Sequence, residues 1–472
     1  MPPPRQELRD LCASNPDTII NYIEQLEARV AELEARINQN SHNSSQPPSS
    51  DRFNRVRSLR KKGERHTGGQ EGHKGSTLNQ TEKPDVVKNH EPEKCDHCGN
   101  SLKEIPECGA NKRQVFGLRI ERYVIEHRSI HKRCPICSKV TKGSFPEDVT
   151  QPVQYDRMVL SIASCFQTYG IIPYEPLSEL FHDIFGIPIS PATLIRANEL
   201  VGASLSTYER AVKEQLMDSP VINCDETGFN VEAKNFWLHV ASTNNLTMYY
   251  AHPRRGVDAI KDMGILPFYR GVAVHDCYRS YYQFNDCNHA ICIAHLLREL
   301  NGILENTGQS WAQEMIDFFD TLYLRIEEDK PFSNCLDPLV SGIFEQEYVR
   351  ICDEGLNANP PPLKKLGKMK RGRTRQSKAK NLIDRLIRYR KDILRCSVDF
   401  SVPFTNNQAE RDLRMMKVHQ NRSGGFRSES GAKTFCRNRG YISTVKKNGL
   451  SPVKAIFDAL NGSPFIPQRC NA

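Results

Sequence analysis

The sequence predicts a mixed α/β protein: a sheet with helices on its faces and a helical insertion, preceded by a coiled coil, a zinc ribbon and a helical domain. Three observations lead there. Two short apolar runs, Val221-Ile222-Asn223-Cys224 and Val272-Ala273-Val274-His275, each end on an aspartate, Asp225 and Asp276. Far downstream, Glu410 sits in a polar, Arg-rich helical stretch, Asn406-Asn407-Gln408-Ala409-Glu410-Arg411. Two Cys-x-x-Cys pairs, Cys95 with Cys98 and Cys134 with Cys137, lie upstream. Strands, then a helical insertion, then a carboxylate-bearing helix suit a mixed sheet layered with helices.

At 472 residues the chain has room for roughly two to four domains. The formal net charge is +9, which favours a polyanionic partner. The basic residues cluster. One run holds Arg52, Arg55, Arg57, Arg60, Lys61, Lys62 and Arg65; a second holds Lys364, Lys365, Lys368, Lys370, Arg371, Arg373, Arg375, Lys378 and Lys380. Each run reads as a solvated tether, as a phosphate-binding segment, or as both. The start of the chain has no apolar stretch behind a basic one, and no run of eighteen apolar residues occurs. The expectation is no secretory signal, no membrane partner and a cytoplasmic protein, nucleoid-associated when bound to DNA. In a reducing compartment the paired cysteines read as metal ligands and the scattered ones as small apolar residues.

The elements follow in order. In 1–40, Ile19, Ile23, Leu26, Val30, Leu33 and Ile37 alternate in steps of four and three. β-Branched residues at a and mostly Leu at d favour a parallel two-stranded coil, hence a homodimer or higher assembly. Packing of an amphipathic helix on its own domain is the alternative. Residues 41–85 read as a disordered basic linker, rich at first in Asn, Ser, Gln and Pro. In 86–150 the two cysteine pairs form the S₄ set that zinc prefers, with strand character between them at Val115-Phe116-Gly117-Leu118 and Tyr123-Val124-Ile125. Four thiolates leave no open position, so this zinc is structural.

Residues 151–216 are helical. Gly186 suits a helix end, Ser190 an N-cap and Pro191 a first helical position. This has the shape of a helix-turn-helix; a packed helical hairpin without a DNA role fits equally. The core begins at 217–300, with strands at 221–225, 236–242, 246–251 and 271–276 and a helix near 256–263. Trp237 is expected in the core at its strand. From residue 290 the pattern is helical, giving an insertion and basic loop at 301–380. The core resumes at 381–472 with helices near 381–395, 406–419, 430–445 and 452–460.

Phosphodiester cleavage needs in-line attack on an anion, and two magnesium ions about 3.5–4 Å apart can activate the attacking oxygen and neutralise the leaving one. Magnesium prefers oxygen ligands and keeps several waters, so a few carboxylates suffice. Asp225 and Asp276 at neighbouring strand ends, with Glu410 on a nearby helix, make such a set for Mg²⁺ or Mn²⁺. Glu226 points to the opposite face of its strand and ranks second. Glu410 could instead cap its own helix from three residues beyond Asn407. Arg411, Arg414 and Lys417 lie along that helix and could line DNA phosphates. Cys292 and His295, near Cys287 and His289, could form a second zinc site or pack behind the catalytic residues.

Asp225-Glu226-Thr227-Gly228, His275-Asp276-Cys277-Tyr278-Arg279 and Cys292-Ile-Ala-His295 through Leu300 resemble the transposases of insertion-sequence family 66. So do 406–411, Ser423-Gly424-Gly425-Phe426-Arg427 and Asn448-Gly449-Leu450-Ser451-Pro452. The upstream order is similar as well: zipper, Ser/Pro linker, a Gly-Gly-Gln-x-Gly-His-Lys-Gly run and the ribbon. The likeness runs from about Ile19 to Pro452. It implies an RNase H-like catalytic core with a DDE triad, carried by matching motif onto Asp225, Asp276 and Glu410, with Cys292 and His295 as a supporting Cys-x-x-His element. The implied reaction is metal-dependent cleavage at the element ends followed by attack of the freed 3′-hydroxyl on a target phosphodiester. The implied partners are double-stranded DNA at element ends and target, and accessory transposition proteins. Trp237-Leu-His239 departs from the more aromatic run expected there. A catalytically inactive DNA-binding relative, or an RNase H-like nuclease without strand transfer, are the competing readings.

Overall fold

A computed structural model describes residues 16–40, 42–44, 78–361 and 376–469. The first basic run, the glycine-rich stretch after it and the second run up to Arg375 lie outside the described residues.

Helix α1 (Pro16–Ile37) carries the expected apolar stripe. Ile23, Leu26, Val30, Leu33 and Ile37 are all exposed along it. A small two-stranded sheet follows, β1 (His131–Arg133) against β2 (Val140–Lys142). The strands expected at 115–118 and 123–125 do not form. Those residues join no ladder, and Val115, Leu118 and Val124 are exposed. A strand is held by amide bonds to a neighbour and a buried face, and this segment has neither.

Four helices come next: α2 (Arg157–Thr168), α3 (Tyr174–Phe185), α4 (Pro191–Ser204) and α5 (Ser206–Asp218). Gly186 ends α3 in the left-handed conformation, and the Ser190 hydroxyl accepts the Thr193 amide to start α4, with Pro191 in its first turn. Helix α4 is not free to enter a groove along its whole face. Leu194, Ala197, Asn198 and Val201 are buried, and the Asn198 carbonyl accepts from Asn438 Nδ2 at 2.9 Å.

The central sheet has five strands in the order β5-β4-β3-β6-β7. They are β3 (Val221–Val231), β4 (Lys234–Ser242), β5 (Thr247–His252), β6 (Val272–His275) and β7 (Asn288–Ile291). The first three form an antiparallel meander; β3, β6 and β7 are parallel. This mixed sheet with helices is compatible with an RNase H-like core. The second half of strand β7, Ala290 and Ile291, falls where the sequence predicts helix. The strand's four residues run straight into α7 (Ile293–Thr307), so the short strand has no period of its own to show.

Helices cover both faces. Ile222, Cys224, Ala241 and Met248 point to one, against Val212 and Leu216 of α5. Phe229, Leu238, Val240 and Tyr249 point to the other, against Ala409, Leu413 and Met416 of α11 (Asn407–Ser423) and Phe435 of α12 (Glu429–Lys447). Helix α12 also closes the β5 edge, where the Thr247 amide donates to Thr444 Oγ1 at 3.0 Å. Between β7 and α11 lie α7, α8 (Ser310–Asp329), α9 (Pro338–Ala358) and α10 (Lys378–Arg388), built round Trp311, Phe319, Tyr348 and Leu382 as a core of their own. Helix α13 (Pro452–Leu460) ends the ordered elements. Among the described residues no helix is long and apolar enough to cross a membrane.

Candidate active site

The β3–β6 register pairs Asn223 with Val274. Continued by two residues, it sets Asp225 beside Asp276, and register partners on parallel strands face the same way. The β6–β7 register pairs His275 with Ile291, and the Cys292 amide donates to the His275 carbonyl at 2.9 Å. Asp225, Asp276 and Cys292 therefore stand in a row across three parallel strands: Asp276 and Cys292 directly follow β6 and β7, whereas β3 does not end at Asp225 as the sequence suggests but runs on to Val231 in its pairing with β4. In open α/β sheets the carboxyl ends of the parallel strands are where ligands bind.

Asp225 shares its face with Phe229 and Val240, the face covered by α11 and hence by the helix that carries Glu410. Asn406 fixes that helix. Its backbone N–H donates to Cys292 Sγ at 3.1 Å and its side-chain amide to the Cys224 carbonyl at 2.8 Å. The capping role open to Glu410 is not taken: α11 starts at Asn406 with no side-chain cap, and Glu410 turns towards α7. Its Oε1 lies 3.8 Å from His295 Nε2 and its Oε2 3.5 Å from Arg298.

Charge is crowded here. Burial, then the neighbouring Glu226 and Asp276 carboxylates, push Asp225 well above its ordinary range. Glu226 lies on the opposite face, as alternation requires. It accepts from Tyr281 Oη at 2.6 Å and from Arg255 at 2.7 Å. Burial and Asp276 still outweigh Arg255 and raise Glu226 to about 6. Arg255 reaches Asp276 at 3.9 Å and is flanked by the rings of Tyr278 and Trp237, 4.1 and 5.0 Å from its guanidinium carbon. Trp237 is thus half-buried beneath a cation rather than in the core, because it shares the strand face and end on which Glu226 and Arg255 meet. Repelling, desolvated carboxylates lacking a full set of counter-charges are the donor chemistry that fits divalent cations.

Burial alone would depress His295, but the Cys292 sulfur and the Glu410 carboxylate outweigh it and raise the imidazole to about 9. Donor atoms of Cys292, His295 and Glu410 lie within 4.8 Å of one another; among the described residues no trio containing Asp225 or Asp276 converges as closely. Two ions bridged by one aspartate do not require it, since the outer ligands then sit on different metals. The other two members of a conceivable Cys/His set are engaged elsewhere. His289 Nδ1 meets His275 Nε2 at 3.1 Å, and Cys287 Sγ donates to the Phe284 carbonyl at 3.4 Å.

Each upstream cysteine pair forms a knuckle. Gly99 N–H donates to the Cys95 carbonyl and Ser138 N–H to the Cys134 carbonyl, both at 2.9 Å, with Gly99 and Ser138 in the left-handed conformation. Backbone amides at His97 and Cys98 lower the Cys95 thiol, and those at Cys137 and Ile136 lower Cys134, which suits metal thiolates. The four sulfurs of Cys95, Cys98, Cys134 and Cys137 are not drawn into one set within 4.8 Å.

Of the helix cations, Arg411 and Arg414 are exposed. Lys417 differs: it is half-buried and donates to the Gly228 carbonyl at 2.9 Å, tying α11 to β3. Next to it, Gly425 lies against Asn230, where a Cβ would meet the carbonyl oxygen at 2.7 Å, and the Phe426 amide donates to that oxygen at 2.9 Å. Arg255 and Tyr281 carry no sequence signal as site residues; Arg298 and Asn406 lie inside motifs quoted for the resemblance, but nothing in the sequence shows what they contact. Tyr281→Phe is expected to cost about 1.5–3 kcal/mol, the range for a hydrogen bond to a charged group. Urea unfolding at pH 8 checks this, and an unchanged midpoint would remove the bond from the site's support.

A family model described as Transposase IS66 family matches residues 158–434. A second, described as a family of unknown function, matches residues 2–79. No curated protein matches the chain.

Proposed function

Because the chain belongs to the IS66 family of transposases, whose members act on DNA, we propose that it cleaves DNA at the ends of its element and joins the freed strand to a target through Asp225, Asp276 and Glu410. The observation that carries this is the placement of the two aspartates on adjacent parallel strands, in the register that β3 and β6 share, with the Glu410 helix packed on the same face. Asp225 is the central ligand, Asp276 the partner on its β6 side and Glu410 the ligand from above. Two Mg²⁺ or Mn²⁺ ions held there would activate the attacking oxygen and neutralise the leaving one. Arg255 and Arg298 hold carboxylates in place from outside the set.

Around this core, the knuckles of Cys95, Cys98, Cys134 and Cys137 would take a structural zinc by closing on each other. The exposed stripe of α1 would pair two chains, which sedimentation of the whole protein at two concentrations reads. Arg411 and Arg414 would meet backbone phosphates. Arg411→Ala and Arg414→Ala should each weaken binding of all duplexes alike and lower the salt slope of log Kd by about 1. An unchanged slope would place DNA on another surface.

The test of the whole reading is a labelled duplex carrying the element end, incubated with the full chain. Cleavage and strand transfer are expected with Mg²⁺ or Mn²⁺ and none with excess chelator. Cleavage without joining to a target would reduce the protein to a nuclease; binding without cleavage would leave a DNA-binding relative.

A further inference from the structure

Glu410 faces a second set of ligands. Cys292 is fully buried at the end of β7, and its sulfur accepts the Asn406 amide at 3.1 Å. His295 lies one turn into α7. The donor atoms of Cys292, His295 and Glu410 all fall within 4.8 Å of one another. Ligands bound to a single tetrahedral zinc at about 2.0–2.3 Å stand about 3.3–3.8 Å apart, so side-chain shifts of about an ångström close the set. Two atoms of the trio, His295 Nδ1 and Glu410 Oε1, are buried with no hydrogen-bond partner. Buried polar atoms are satisfied as a rule, and two orphans on neighbouring side chains point to a missing partner.

We propose that Cys292, His295 and Glu410 bind a zinc-class divalent ion, separate from the hard-ion site at Asp225 and Asp276. Sulfur and imidazole select zinc or cobalt over magnesium, which rejects thiolate. Three protein ligands leave the fourth tetrahedral position to water. An ion there occupies Glu410 and keeps it on the α7 side, away from the two aspartates. Zinc is therefore an inhibitor of magnesium-dependent cleavage, and release of Glu410 is the step it blocks. The inhibitory consequence rests on the triad reading; the binding site does not.

The test uses the full chain, stripped of metal and titrated with Zn²⁺ or Co²⁺ alone. Cys292→Ser should lose one equivalent of bound zinc per chain and the matching part of the sulfur-to-cobalt absorption. The pair Cys95→Ser with Cys98→Ser should keep that equivalent. His295→Asn supplies the same test should the serine variant not fold. In the cleavage assay at fixed Mg²⁺, Cys292→Ser should raise the half-inhibitory zinc concentration at least about tenfold. Unchanged zinc content in both Cys292→Ser and His295→Asn overturns the site. Loss of the equivalent while Glu410→Gln still cleaves would uphold the zinc site and sink only the triad.

Discussion

Glu410→Gln should abolish both strand cleavage and strand transfer, by more than about 10²-fold, while affinity for the duplex stays within about twofold. Loss of a residue that merely orients a ligand costs about 10–100-fold, and loss of the ligand itself exceeds that. Glutamine keeps the length and shape of the side chain but not its charge, and a hard cation gains little from a neutral amide at this position. Folding should survive, because Glu410 contributes no capping bond and its Oε1 has no hydrogen-bond partner. Single-turnover cleavage and a binding titration on the same duplex check both halves. Retained cleavage would take Glu410 out of the catalytic set.

Asp225→Asn should have opposite effects on activity and stability. Cleavage should again fall by more than about 10²-fold, since under the proposed two-ion reading the amide removes the ligand that both ions would share. The metal-free protein, however, should become more stable at pH 8. In the native state Asp225 is pushed well above its ordinary range by burial and by Glu226 and Asp276. The folded form therefore holds its proton more tightly than the unfolded form, and stability is lost as pH rises through the raised value. Glu226 has the same sign, lifted from 4.5 to about 6, which corresponds to about 2 kcal/mol lost between those values. The wild-type stability curve should therefore fall from about pH 4.5 upwards and recover on adding Mg²⁺. The Asp225→Asn curve should keep only the Glu226 step and respond less to Mg²⁺. Denaturant midpoints from pH 4.5 to 8.5, with and without Mg²⁺, decide this; parallel curves for the two proteins would show that Asp225 is not strained by its neighbours.

The sequence makes some of this site readable because part of it is local. The apolar run closing on Asp276 marks a strand end, and Gly186, Ser190 and Pro191 mark helix ends, since each signal rests on the chemistry of a few adjacent residues; the run before Asp225 marks a strand but not its end, because β3 continues to Val231 in its ladder with β4. The partners are different. Arg255 is 29 residues from Glu226 and Tyr281 is 55, and only the fold brings them together. Strand β7 was hidden by the helix that follows it. Lys417 reads as a surface cation from helical spacing, yet a strand carbonyl lies within its reach. Trp237 reads as core from hydropathy, whereas Arg255 holds it at the rim. The segment at 115–125 has strand composition without a ladder, because β composition supplies no partner.

The helical insertion separates the acidic residues in time as well as in sequence. During synthesis Asp225 and Asp276 leave the ribosome well over a hundred residues before Glu410, with a helical unit that has its own core made in between. Under the proposed chemistry, a nascent or prematurely ended chain carries two of the three acids, yet it lacks the third and the helices that cover one face of the sheet. Such a fragment would be harmless to the chromosome around it, and the capacity to break DNA would arrive only with the last part of the polypeptide.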